Sequence, residues 1–500
     1  MKTAYLIATA AALSIPVTAH SQEHQHAPAE KLGEVRFATT CNPATADKFN
    51  RAVALLHSFE FGESIKGFNE VLAMDSGCAM AHWGIALSRW SNPMVAGNRS
   101  PTQLRQGKEA SDAAVRLGVR ASERERAYIR AVSKLYDDFE RIDQAARVAA
   151  YESAMKELAA RDPADTEAAI FHAIALVAVA EPTDKSYANQ LKAGGILESL
   201  WVKQPNHPGL AHYIIHTYDY PPLADKARAA AQRYASIAPS AAHALHMPSH
   251  TFTRVGMWEE SVDANNRSMK VAAGSGSIAE ALHAADYAMY AYLQIGKEAE
   301  ARAILDALPQ LVARFDPTAI TGAAPPSAGV FAIAAIPARW VLERRAWKEA
   351  ALLEPNRSEF PHTDAMTYFA RALGAARTGD LQKAKSAIDS LASIKQRLTD
   401  QGEKYWAEQV AIEHLAAQAV VDLAEGRSTL AVERMREAAA REDATEKNVV
   451  TPGPLVPARE LLADMLNDLK RPVDAAAEYR ATLKKEPNRR HSLLRLRAAN

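Results

Sequence analysis

Neither sign of charge is in excess in this 500-residue chain: 59 basic residues stand against 59 acidic ones, and no stretch concentrates Lys and Arg with interleaved aromatics. Nucleic acid, which is gripped by a basic patch, is therefore not an expected partner. Aromatic residues are scarce, 7% against 48% hydrophobic residues overall, and much of the apolar content is Ala. That balance disfavours a β architecture and suits helices packed through small side chains, an all-α class. Beyond the N-terminus no apolar run reaches the roughly 18 residues of a membrane-spanning helix, so no membrane insertion is expected. The known catalytic signatures are missing too. HYIIH, from His212, lacks the Glu of the H-E-x-x-H zinc hydrolases, and there is no nucleophile elbow, phosphate loop or dinucleotide fingerprint.

Cysteine is nearly absent, with Cys41 and Cys78 alone. The segment before them reads as an export signal. Lys2 precedes an apolar stretch from Ala4 to Ile15, and small residues follow at Val17, Ala19 and Ser21, placing cleavage near Ala19 or Ser21. It is too short and Ala-rich for a membrane span, and no nearby Cys offers a lipid attachment point. A periplasmic or secreted protein is expected. In an oxidising compartment an even cysteine count predicts a Cys41–Cys78 disulfide, closing a loop of about 38 residues and tying the segment GEVRFATTC to the first helices. The alternative is two separate buried thiols. Residues 22–40 form a polar, His-containing leader. Cleavage after Ser21 would expose Gln22-Glu23-His24, whose free amine and third-position His can wrap Cu(II) or Ni(II) in square-planar nitrogen ligation. Otherwise His20, His24 and His26 are incidental to a disordered tail.

From residue 41 to 500 the pattern is one of helical pairs. Apolar-periodic segments recur, each closed by a Pro or Gly and restarted a few residues on. Pro163, Pro205, Pro239 and Pro487 each stand just ahead of a new helix, and GDLQKAKSAIDSL from Gly379 and VDAAAEYRATLKKEP from Val473 repeat the same grammar. A single α-solenoid of about ten helical pairs is predicted, with LLRLRAAN as its C-terminal capping helix. Pro-containing stretches at residues 92–101, 316–327 and 446–457 read as inserted loops, because the pattern resumes unchanged on each side.

Histidine is concentrated instead of scattered. Seven of the 16 His fall between His207 and His283, within the central repeats 205–295. His212 and His216 are matched by His246 and His250, and 212 + 34 = 246 while 216 + 34 = 250. Thirty-four residues is the tetratricopeptide period, so the two pairs occupy equivalent places in consecutive repeats. In that architecture first helices line the concave surface about 8–10 Å apart, and four imidazoles are expected to converge in one groove. Aligning RVGMWEE with QIGKEAE puts Asp286 and Tyr290 at the places of His246 and His250 in the next repeat, with His283 one turn before Asp286. His283 and Asp286 then complete a mixed site, form a second one, or orient the imidazoles from outside. His207, His243 and Tyr290 stand close enough to contribute.

HPGLAHYIIHTYDYPPLA from His207, HALHMPSHTFTRVGMWEES from His243, ERERAYI from Glu123 and CAMAHWGIAL from Cys78 resemble a family of exported bacterial tetratricopeptide-repeat proteins. The resemblance extends over nearly the whole mature chain. It implies the solenoid fold and no particular activity.

Imidazole ligands favour transition metals, with Cu or Zn first and Fe or Ni as further candidates, while Ca and Mg would be poorly served. Two considerations oppose a metal. Repeats inherit matched residues by descent, and groove polar residues also hold peptides or proteins. Pro248 lies inside the second pair, either at a helix start or at a kink that disturbs the i,i+4 spacing. Three readings follow: a metal-binding solenoid, a metal-free peptide- or protein-binding scaffold, and a metalloenzyme of unspecified reaction with Asp286 or Tyr287 assisting. His57, His82 and His172 read as single core or supporting histidines, and His362, His414 and His491 as surface or packing residues. Ser122 and Glu125 form a capping box, which explains ERERAYI without chemistry.

Overall fold

A computed structural model describes residues 30–95, 98–181 and 183–498. The export signal and the histidines at 20, 24 and 26 lie outside these residues. The described chain is a tetratricopeptide-like α-solenoid with no strand. Consecutive helices pack in pairs, from Ala46–His57 with Phe61–Met74 to Ala458–Asp468 with Pro472–Lys485, and Arg490–Ala498 closes the stack. Eleven pairs can be traced in this way, the eighth with a second helix of one turn, Trp347–Ala350.

Local chemistry sets the boundaries. Ser122 accepts from the Glu125 N–H while the Glu125 side chain returns to the Ser122 N–H, so the capping box forms as predicted. Gly276 and Gly296 end their helices in the left-handed conformation at φ 82° and 75°, where a side chain would be strained. Small residues let helices close up: a Cβ on Gly84 would stand 2.2 Å from the Phe68 ring, and one on Gly194 would stand 2.0 Å from the Tyr218 hydroxyl.

The solenoid is wound tightly enough for non-neighbouring pairs to touch. Helix Ala46–His57 of the first pair packs directly on Pro208–Thr217 of the fifth. The leader is part of this core: Leu32, Val35 and Phe37 are buried, and Phe37 packs 5.2–5.7 Å from the rings of Phe49, Trp83 and Tyr128. Its residues 30–40 thus form a strap, not a free tail. Lys31 accepts from the Ser240 N–H at 3.2 Å, Glu34 donates to the Asn206 carbonyl at 3.0 Å, and Thr40 donates to Glu125 at 2.7 Å. Cys41 and Cys78 are joined at the end of the strap, with Cα atoms 5.0 Å apart.

The C-terminal end returns to the middle of the chain. Arg489, fully buried, donates to Glu460 at 2.8 Å, Glu343 at 2.7 Å and the Tyr290 hydroxyl at 2.8 Å, while the Tyr290 hydroxyl donates to Glu486 at 2.9 Å. Trp258 donates to the Asn488 carbonyl at 3.1 Å. No described helix is long and apolar enough to cross a membrane.

Replacing both Cys41 and Cys78 by Ser should destabilise the strap and first helical pairs by up to about 4 kcal/mol, the loop-closure value for about 38 residues. Denaturant unfolding read by the fluorescence of Trp83 and Trp90 checks this. An unchanged midpoint would show that the strap is held by its packing and hydrogen bonds alone.

Candidate metal centre

The histidines of the central repeats gather inside the molecule, none of them more than 4% exposed. The expected convergence therefore occurs in a closed interior, and a groove-bound peptide has no access to these rings. They also divide differently from the 34-residue register. Ligand nitrogens of His212, His216 and His243 lie within 4.8 Å of one another, and so do those of His246, His250 and His283. Each set is an i,i+4 pair completed by one His from the next first helix. The sets are neighbours: the His216 and His250 rings are 5.7 Å apart and those of His243 and His246 5.8 Å.

Pro248 resolves both sequence alternatives at once. It starts a helix, Pro248–Arg254, and breaks the preceding one, Ala242–His246, at Met247. The His250 N–H turns to the Met247 carbonyl at 3.1 Å, a tighter i−3 bond, and the two rings still meet with centroids 5.0 Å apart.

Proton placement follows from partners. The His212 Nδ1 lies 2.6 Å from the His57 carbonyl, which can only accept, so Nδ1 carries the proton. His243 Nδ1 donates to Glu280 at 3.0 Å and His250 Nδ1 to Asp219 at 2.9 Å. His246 Nδ1 donates to the Asn265 side-chain oxygen at 2.7 Å, the Asn265 amide nitrogen being committed to the Ser261 carbonyl at 2.7 Å. Each of these rings is left with a bare Nε2 lone pair. Nε2 of His212 and His243, both nitrogens of His216 and Nδ1 of His283 are buried without a protein partner. An unpartnered buried polar atom costs about 1–3 kcal/mol. The two Nε2 atoms of His246 and His250 face each other at 3.1 Å. Two lone pairs at that distance repel, and a cation between them turns repulsion into ligation. Nitrogen ligands of one transition metal at bonds of about 2.0–2.1 Å stand roughly 2.9–3.4 Å apart for angles of 90–109°.

Electrostatics keep the rings ready to ligate. Burial, reinforced by neighbouring imidazoles, holds His212, His216, His246 and His283 well below the usual histidine range, and burial brings His250 down to about 4 despite its hydrogen bond to Asp219. The carboxylates behind them stay charged. Burial would raise Glu280, but His243 brings it down to about 2. Burial would also raise Asp219, but Lys447 and Arg254, at 2.7 and 2.8 Å, hold it well below the carboxylate range. Hydrogen-bonded imidazoles backed by carboxylates are the usual outer arrangement of metal-bound histidine.

Two sequence candidates are corrected. Asp286 does not face the imidazoles: its oxygens are taken by Arg339 at 2.7 and 3.4 Å in a wholly buried pair. Arg339 also binds Thr451, Gly453 and Pro454, so Asp286 anchors the 446–457 loop. Tyr290 is engaged with Glu486 and Arg489, as described above. The expected single four-histidine cluster is replaced by two sets of three, with His243 promoted to a full member. His207 turns away to a third group, where Glu167 bridges His57 at 2.9 Å and His207 at 3.0 Å. His57 thus supports the centre, its carbonyl fixing His212. His172 bonds Glu152 at 3.1 Å, His491 bonds Asp464 at 2.8 Å, and His362 is buried flat against Trp406 at 3.9 Å. Asp219, Asn265, Glu280 and Lys447 were not singled out from sequence. Glu280 was findable, one turn before His283 on the same face, as was Asp219, three residues after His216.

All three inserted loops meet over the centre. Asn92 and Val95, Ala323 to Pro325, and Val449 with Val450 line a cavity of about 10 Å³ against His216, His243, His250 and His283. Glu280 ties down one loop through the Ala324 N–H at 2.8 Å, and Asp219 ties another through Lys447.

No protein-family model matches this chain, and no curated protein matches it. Solved structures that resemble it in fold include the human IFIT1 dimer with m7Gppp-AAAA, at 10% identity and TM-score 0.37, covering 84% of this chain and 89% of that one. Yeast Tom70 aligns at 11% identity and TM-score 0.38 over 91% of this chain and 95% of that one. Cut9 in the Cut9–Hcn1 hetero-tetramer of the APC/C aligns at 11% identity and TM-score 0.30 over 91% and 90%.

In metal-free protein, long-range ¹H–¹⁵N correlation spectra should show His212, His243 and His250 as the Nδ1–H tautomer. Glu280→Gln should disturb His243 and leave His212 unchanged. An Nε2–H tautomer at His212 would contradict the arrangement.

Proposed function

We propose that this chain is an extracytoplasmic tetratricopeptide-like protein, of the exported bacterial group its motifs resemble, whose buried histidine centre binds a transition metal. The opposed bare Nε2 atoms of His246 and His250, 3.1 Å apart, carry the reading. Desolvated imidazoles without hydrogen-bond partners are unfavourable in a purely structural core, where buried polar groups are otherwise paired. All-nitrogen ligation favours Cu or Zn, with Fe and Ni next, over oxygen-seeking Ca or Mg. Location outside the cytoplasm is supported by the signal-like Met1–Ser21 segment and by the Cys41–Cys78 disulfide. N-terminal sequencing of the exported protein should find a start near residue 20 or 22.

A larger cavity favours a second reading, a metalloenzyme. About 840 Å³ in volume, it shares Asn92, Val95, Pro325 and Val450 with the small cavity at the histidines, giving a small molecule a place beside the centre.

Protein purified without a His tag should carry Cu or Zn by elemental analysis. Stripping the metal should lower its melting temperature, because bound ligand at about 100 times its Kd contributes about 2.7 kcal/mol. His216→Ala with His250→Ala should abolish stoichiometric binding and remove the metal-dependent part of the stability. His414→Ala should leave metal content unchanged. His362→Ala should cost stability with or without metal, through its lost stacking on Trp406. Wild-type metal content in the His216/His250 double variant would overturn the assignment.

A further inference from the structure

We infer that the centre is dinuclear: one ion in each histidine triad, the two sharing a single small exogenous anion held in the cavity between them. The inference rests on the metal-binding reading above and goes beyond it in number, arrangement and ligand.

The six histidines cannot serve one ion. They fall into two sets of three with no common member, each compact to within 4.8 Å. An ion held by His212, His216 and His243 would leave His246 and His250 with lone pairs still opposed at 3.1 Å. An ion in the second triad would leave the buried nitrogens of His212, His216 and His243 without partners. Only two ions engage all six rings.

Each triad has its own carboxylate, Glu280 behind His243 at 3.0 Å and Asp219 behind His250 at 2.9 Å. Glu280 offsets charge at its triad, whereas Asp219, already paired with Lys447 and Arg254, orients its ring without spare negative charge and leaves more for a bridging anion to offset. Asn265, behind His246, and the His57 carbonyl, behind His212, orient further rings without adding charge.

The cavity supplies the shared position. His216 and His243 from one triad and His250 and His283 from the other form one side of it. Three protein ligands leave a coordination position free on each ion, as in catalytic metal sites. The remaining wall is nearly all apolar, from Val95, Ala323, Ala324, Pro325, Val449 and Val450, and offers an anion no competing cation. At about 10 Å³ the space takes one water-sized group. A bridging anion is also what two neighbouring dications need to offset their mutual repulsion. The ligand class is therefore a hydroxide-sized anion, for which fluoride is the probe.

The test uses the full mature chain, stripped and reloaded by dialysis against Cu(II) and, separately, Zn(II), with elemental analysis and electron paramagnetic resonance. Two ions per chain are expected. The Cu(II) form should show a spin count well below its copper content, because a shared ligand couples the pair, and should bind one fluoride per two Cu. His243→Ala and His283→Ala should each retain one ion per chain, the former in the second triad and the latter in the first, with a full mononuclear Cu(II) signal. The wild-type measurements stand alone if either variant fails to fold. One ion per chain in the wild type overturns the dinuclear assignment and leaves the metal-binding reading intact. Two ions with a full, uncoupled signal and one fluoride per Cu overturn the shared ligand. No bound ion overturns both readings.

Discussion

Hydrogen bonding at the Nδ1 edge of four of the six imidazoles is the constraint from which this structure is best understood. A neutral histidine has one donor and one acceptor nitrogen, and which is which depends on its fixed partner. Here the partners are a backbone carbonyl at His57, the carboxylates of Asp219 and Glu280, and the amide oxygen of Asn265. Each takes the Nδ1 proton, so the lone pairs are left on the far side of the rings. At His212, His246 and His250 desolvation also disfavours simple protonation. The result is a set of buried acceptors without protein donors, a state that protein interiors otherwise avoid.

The winding of the solenoid makes that state possible. Had the concave side stayed open, water would reach the rings and a peptide could lie across them. Instead the first and fifth helical pairs touch, the C-terminal helix returns to the seventh, and Asn488 just before it meets Trp258 of the sixth. The three irregular loops cover what remains. Two of them are held by the same residues that orient the imidazoles, Glu280 through the Ala324 N–H and Asp219 through Lys447. Closing the loops and fixing the ligands are therefore one set of interactions, and a change at either carboxylate disturbs both.

Helices, pair boundaries, the capping box at Ser122, the cysteine pairing and the concentration of histidines were legible in the sequence, because each depends on local spacing or composition. The partition of the histidines was not. The 34-residue register correctly relates His212 to His246, but it carries no information on how Pro248 tightens the turn or how neighbouring helices are offset. His243 therefore displaces His246 in the first triad. Asp286 failed for a different reason. It lies on the same helix as His283, yet its partner, Arg339, is 53 residues away and belongs to the next helical pair. Nor does a repeat pattern reveal how tightly a solenoid curls. That property rests on long-range contacts such as Arg489 with Tyr290, separated by 199 residues.

X-ray absorption at the edge of the bound metal reads the ligands around the ion whatever the protein's activity. A first shell of nitrogen at about 2.0–2.1 Å is expected, with the outer-shell pattern of about three imidazoles per ion and no sulfur. A shell dominated by oxygen, or one with a single imidazole, would place the metal outside the histidine triads.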